Sequence, residues 1–238
     1  MPSDVLRNWS TAAINLPDHA DNEIHTDEGA RAAGFESALV AGTTVYAYLT
    51  HVAVAAWGLD WVAGGGGELR LRRPVFDRDP VDCVVAADDD GPTVTAQVAG
   101  DSRASLDLWE STTAPAMRDG EPLDGLDLVL SDEHIDYGVR CGDDLALYVD
   151  EGIAPPVTWV NLANTVFKQA LVTGPWIHTR SRIHHEGVGR LGSHVHIDAV
   201  LVERFDSRAG ERALVDLRFY ADDEPVATIE HEAIIALP

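Results

Sequence analysis

Apolar positions fall into two runs along the chain, and both runs have the same internal order. In the first, a polar opening over residues 18–31 gives way to the stretch 43–57. There Tyr46, Leu49, Val52, Ala53 and Ala56 recur at helical spacing, with Thr43 or Thr44 suited to cap the start. So few charges surround this stripe that it predicts a buried helix. Gly64 to Gly67 read as a flexible turn. Four short runs follow, over residues 68–76, 81–87, 93–99 and 104–112, each bounded by Asp, Gly or Pro clusters as strands are.

The second run repeats the plan. A polar segment, 132–151, leads to a helix candidate at 157–172, which Gly174-Pro175 closes because proline cannot continue a helix. Strand-like runs come next at 176–185, 194–205, 213–220 and 225–236. Residues 117–125 carry the turn formers of a linker, which divides the chain into a first unit, 1–116, and a second, 126–238. One long helix followed by four strands is an α+β unit. Alone it leaves a sheet edge and an apolar face uncovered, so the repeat predicts two units paired into one continuous antiparallel sheet.

Composition narrows the partners. The chain holds 40 acidic residues against 17 Lys and Arg, for a net charge of −23, and this field disfavours nucleic acid and anionic membranes. No apolar stretch reaches the roughly 18 residues that a membrane span requires. Met1-Pro2-Ser3-Asp4 shows no basic region leading into an apolar one, so no signal peptide is expected. Cys83 and Cys141 are the only cysteines, which fits a reducing interior and a cytoplasmic location. The acids are scattered, and Lys168 is the single lysine, a pattern that suits a high-salt cytoplasm. An arginine-biased genome acting on an ordinary acidic protein is the other reading.

Candidate chemistry begins at Asn22-Glu23-Ile24-His25. Ala33-Gly34-Phe35 and Leu39-Val40-Ala41-Gly42 follow it before the first helix. This segment resembles the MaoC-like and (R)-specific enoyl-CoA hydratases, which carry Gly-Asp-x-Asn-Pro-(Leu/Ile)-His ahead of the helix of a double hotdog fold. The resemblance covers roughly residues 18–85 and extends to the rest by architecture. It implies an acyl-thioester hydratase or dehydratase acting on acyl-CoA, with His25 as acid or base and Asn22 orienting water or substrate. The Gly42 amide would stabilise the thioester oxygen, and Thr43 and Asp21 would contact substrate. The family's Asp falls on Ala20, which can exchange no proton. Gly142-Asp143-Asp144-Leu145-Ala146-Leu147-Tyr148 matches the same pattern in the second half and keeps Gly142 and Asp143, but not the Asn or His, so the resemblance implies that Asp143 contacts substrate.

His178 and Ser181, on the first strand after the second helix, and Asn164 on that helix are further candidates to line an acyl cavity. Arg70, Arg72 and Arg73 could meet the phosphates of CoA or serve as surface ion pairs. The late histidines show no spacing for a metal site, and no nucleophile or phosphate-loop motif is present, so neither metal nor cofactor is expected. Hotdog thioester hydrolysis and non-catalytic acyl-CoA binding are the alternatives. A homodimer or a hetero-oligomer of such units is the expected assembly.

Overall fold

The structure is a computed structural model and describes residues 5–237, so the Met1–Asp4 segment lies outside the described residues. In the first half, β1 (Trp9–Ala12) precedes two short 3-10 turns, Pro17–His19 and Glu23–His25, and a short helix, α1 (Asp27–Ala32). The long helix α2 (Gly42–Gly64) comes next, then β2 (Gly66–Leu71), β3 (Pro80–Asp88), β4 (Gly91–Val98) and β5 (Asp101–Trp109). The second half follows suit. It runs β6 (Glu121–Val129), short helices α3 (Asp132–Ile135), α4 (Tyr137–Arg140) and α5 (Leu147–Glu151), and the long helix α6 (Pro156–Ala170). Strands β7 (Ile177–His185), β8 (His194–Ser207), β9 (Gly210–Ala221) and β10 (Glu224–Ala236) complete it.

All ten strands among the described residues form one sheet in the order β1-β3-β4-β5-β2-β7-β10-β9-β8-β6, with antiparallel neighbours throughout. The order reads the same from either end once each strand of one half is exchanged for its counterpart. A pseudo-twofold therefore passes between β2 and β7. Helices α2 and α6 pack on each other and on the sheet, burying Trp61, Trp159, Tyr46, Phe167, Leu69 and Phe219 completely or nearly so. A continuous core beneath two repeats explains why neither half needs a domain boundary of its own.

Each half contributes five strands rather than the expected four. The strand that sequence patterning misses is the first of each half, β1 or β6, and each lies at a sheet edge. Strand β6 begins inside the segment expected as a linker. A register shift between Leu123 and Leu126 breaks its alternation and hides it from a period-two pattern. Helix α2 passes the expected end at Trp57, kinks at Gly58 (φ 58°) and continues to Gly64. Gly66 and Gly67 are strand, not a flexible turn. A Cβ at Gly66 would stand 2.2 Å from the Ile183 carbonyl oxygen, and one at Gly67 2.5 Å from that of Asp107. Only glycine lets β2 sit this close to both neighbours at the junction of the halves.

Candidate functional site

A cleft of about 480 Å³ opens where the halves meet. The first half lines it with the 3-10 turns, the start of α2 and the end of β2; the second half adds α6, the start of β7, Arg212 and Ile234.

His25 ends the second 3-10 turn and is fixed from three directions. Its backbone N–H donates to the Asn22 carbonyl at 2.9 Å, and its carbonyl accepts from Asn15 Nδ2 at 2.9 Å. Its ring Nδ1 lies 2.8 Å from the Leu39 carbonyl oxygen. A carbonyl can only accept, so Nδ1 carries the proton and Nε2 is the basic position. Burial pushes the imidazole below its ordinary pKa, partly opposed by the Leu39 bond, so the ring stays neutral.

Beside it stands His19, with ring centroids 5.6 Å apart. His19 Nε2 is 2.8 Å from the Tyr137 hydroxyl, which also meets Thr43 Oγ1 at 3.0 Å and Thr44 Oγ1 at 3.2 Å. Burial, then the neighbouring His25, pushes His19 down to about 4. The carboxylates closest in sequence to Ala20 are engaged elsewhere: Asp18 with Arg140, and Asp21 with Lys168. The pair facing the cleft is thus two neutral histidines rather than a carboxylate and a histidine.

Gly42 is the first residue of α2, where a backbone N–H has no intrahelical acceptor. A Cβ here would stand 2.3 Å from Leu71 Cδ1 and 3.3 Å from His178 Nδ1, so the glycine keeps this end of the cleft open. Across from it, α6 presents Asn161, Asn164, Thr165 and Lys168, spaced as one helical stripe. Asn164 Oδ1 is buried with no hydrogen-bond partner among the described residues. Arg72, Arg73 and Arg212 also line the cleft, giving it cationic groups in a strongly acidic chain.

His178, 6 % exposed, bonds through Nε2 to Ser181 Oγ at 2.8 Å, and Ser181 Oγ lies 2.8 Å from His231 Nδ1. Burial pushes His178 down to about 3, with the Arg180 backbone opposing, and drives His231 well below the usual histidine value.

The structure therefore gathers Asp21, Asn22, His25, Gly42, Asn164 and His178 around one cleft. It corrects the expected role of four residues. The Asn22 carboxamide is occupied, with Nδ2 donating to the Trp176 carbonyl at 3.0 Å and Oδ1 accepting from the Trp176 N–H at 3.4 Å. Thr43 is wholly buried and turned to Tyr137, and Ser181 is wholly buried behind His178, so neither lines the cleft. Asp143 is not at the cleft. Its carboxylate accepts from His51 Nδ1 at 2.8 Å and from the Leu145 N–H at 2.9 Å, and Trp9 stacks on His51 at 3.9 Å. His51, Asp143 and Asp144 bring ligand-type atoms within 4.8 Å of one another, yet His51 Nδ1 already serves as the donor to Asp143. His19, Tyr137 and His231 were missed; only the helical spacing around Asn164 offered a signal, for Asn161, Thr165 and Lys168.

No family model matches this sequence, and no curated relative does. Solved structures do match. A protein from Mycobacterium tuberculosis described as having a double hotdog fold covers 96 % of this chain and 96 % of its own, at 11 % identity and a TM-score of 0.62. The fold is a double hotdog. A MaoC domain dehydratase, so described, from Chloroflexus aurantiacus shares this double hotdog over 97 % of this chain and 95 % of its own, at 10 % identity and a TM-score of 0.64. The dehydratase domain of PpsC from Mycobacterium tuberculosis, solved in complex with C12:1-CoA, shares it over 99 % and 96 %, at 12 % identity and 0.54. Other solved structures that match are described as thioesterases. No helix among the described residues is long and apolar enough to cross a membrane.

Proposed function

We propose that this double hotdog protein acts on acyl-CoA thioesters as a hydratase or dehydratase, with His25 as its acid and base. The observation that carries the reading is the His25 ring, held by Leu39 so that a neutral imidazole with a basic Nε2 belongs to the wall of the cleft. In hydration, Nε2 removes a proton from water as the oxygen attacks the β-carbon of an enoyl thioester. The same nitrogen then returns a proton to the α-carbon, so one group serves both steps. The Gly42 N–H, at the positive end of α2, supports charge developing on the thioester oxygen. Arg72, Arg73 and Lys168 suit the phosphates of CoA.

A carboxylate beside His25 would orient and strengthen the base. Here Ala20 stands at the matching position, and Asp18 and Asp21 are tied to Arg140 and Lys168. This favours weak turnover. Hydration of crotonyl-CoA followed in the ultraviolet tests the reading: slow wild-type turnover, lost in His25→Ala and raised by Ala20→Asp, is expected. Full activity in His25→Ala would overturn it. Binding of crotonyl-CoA with neither hydration nor thioester cleavage would make the protein an acyl-CoA binder instead.

A further inference from the structure

Three buried side chains of the second half form a hydrogen-bonded row that ends at the cleft. His178 Nε2, Ser181 Oγ and His231 Nδ1 are linked at 2.8 Å and 2.8 Å, and the two imidazoles stack at 4.2 Å between centroids. The two outer nitrogens, His178 Nδ1 and His231 Nε2, are buried without a hydrogen-bond partner among the described residues. They face different surroundings. His178 lines the cleft, and its Nδ1 is 3.3 Å from where a Gly42 Cβ would stand. His231 is wholly buried, with its ring edge-on to Phe167 at 4.8 Å.

The protons of this row can be counted, because both rings are neutral and a serine has one hydroxyl hydrogen. If His178 donates from Nε2 to Ser181 and Ser181 donates to His231, an N–H is left on His231 Nε2, in the core and without an acceptor. If both rings donate to Ser181, its hydroxyl hydrogen is stranded in the same way. In the remaining arrangement His231 Nδ1–H donates to Ser181 and Ser181 donates to His178 Nε2. The core then holds only a bare lone pair on His231 Nε2, and the surplus N–H stands on His178 Nδ1, at the cleft. A stranded buried donor is costly, and only in this third arrangement does it stand at the cleft wall, where the oxygen of a bound ligand can satisfy it.

We infer that His178 is a neutral Nδ1–H donor for the carbonyl oxygen of the bound ligand, beside the Gly42 amide, with Ser181 and His231 as positioning residues that set its tautomer. That the carbonyl belongs to a thioester rests on the function proposed above; the tautomer does not.

Ring ¹⁵N spectra of the histidine-labelled full chain at pH 7, assigned with His178→Asn and His231→Asn, read the tautomer directly. Both rings are expected as Nδ1–H, and Ser181→Ala is expected to give His178 a mixture of tautomers. An Nε2–H form of wild-type His178 would overturn the inference. The ligand side is read from the carbonyl stretch of bound [1-¹³C]butanoyl-CoA. It should move to lower wavenumber in the wild type, lose that shift in His178→Leu and regain part of it in His178→Asn, whose amide reaches about as far as Nδ1. On crotonyl-CoA, His178→Leu should lower kcat about 10²–10³-fold, with KM nearly unchanged. An undiminished shift in His178→Leu would refute the donor role. Failure of butanoyl-CoA to bind the wild type would refute the thioester reading, while the nitrogen spectra would still decide the tautomer.

Discussion

Asn22 shows how a residue can be found for one reason and matter for another. Its place in the Asn-x-Ile-His segment marks it as polar and near the site, and it does line the cleft. Its carboxamide, however, closes a pair of hydrogen bonds onto the Trp176 peptide, 154 positions away in the other half. Sequence carries no signal for such a partner, because the contact exists only once the two repeats are joined. Asn22→Ala should leave a buried N–H and carbonyl of Trp176 unsatisfied, at about 1–3 kcal/mol. A drop of several degrees in melting temperature is expected, and an unchanged one would show that the bridge is dispensable. The places of His25 and Gly42 on the cleft wall, in contrast, depend on local chain: a neighbouring carbonyl for one, a helix start for the other.

Among elements, the two long helices and eight of the ten described strands were readable, since burial on one face imposes a period that survives in sequence, whereas the short helices α1, α3, α4 and α5 fall in segments read as polar. The failures have local causes. Strand β1 is four residues long, and β6 is bulged. Strand β7 holds the most consequential irregularity: its register with β10 skips Thr179, pairing Arg180 with Glu232 and His178 with Ala233. In a regular strand His178 and Ser181, three apart, would point to opposite faces. The bulge turns both inward, and the row to His231 depends on it. The β2–β7 seam is equally exacting. Gly66→Ala would drive a methyl group into the Ile183 carbonyl, a backbone atom that cannot swing away. A loss of more than about 2 kcal/mol in urea unfolding is expected; a near-neutral result would mean the seam tolerates wider spacing.

For the whole molecule, the repeat announced the fold, while the histidines govern its response to acid. Burial holds His19 to about 4, His185 to about 4 and His178 to about 3, and His231 is also strongly depressed. The unfolded chain takes up these protons near pH 6.5, while the folded one resists until far lower. Stability from these groups is therefore complete above pH 6.5 and declines as pH falls toward 4, by up to about 1.4 kcal/mol per unit for each histidine. Unfolding curves from pH 7.5 to 4 should show this decline, and a flat profile would contradict the burial of neutral rings.

The pseudo-twofold between β2 and β7 has a further consequence. In a true dimer of identical units, any substitution appears twice, so a cleft cannot be remodelled at one end of the interface without its twin changing too. Joining the units in one polypeptide lifts that constraint. Here the segment that ends at His25 lines a cleft, while its counterpart in the second half turns Asp143 to His51 beneath Trp9 and buries Tyr148. Fusion lets the two ends differ: one lines a cleft, and the other is packed as scaffold.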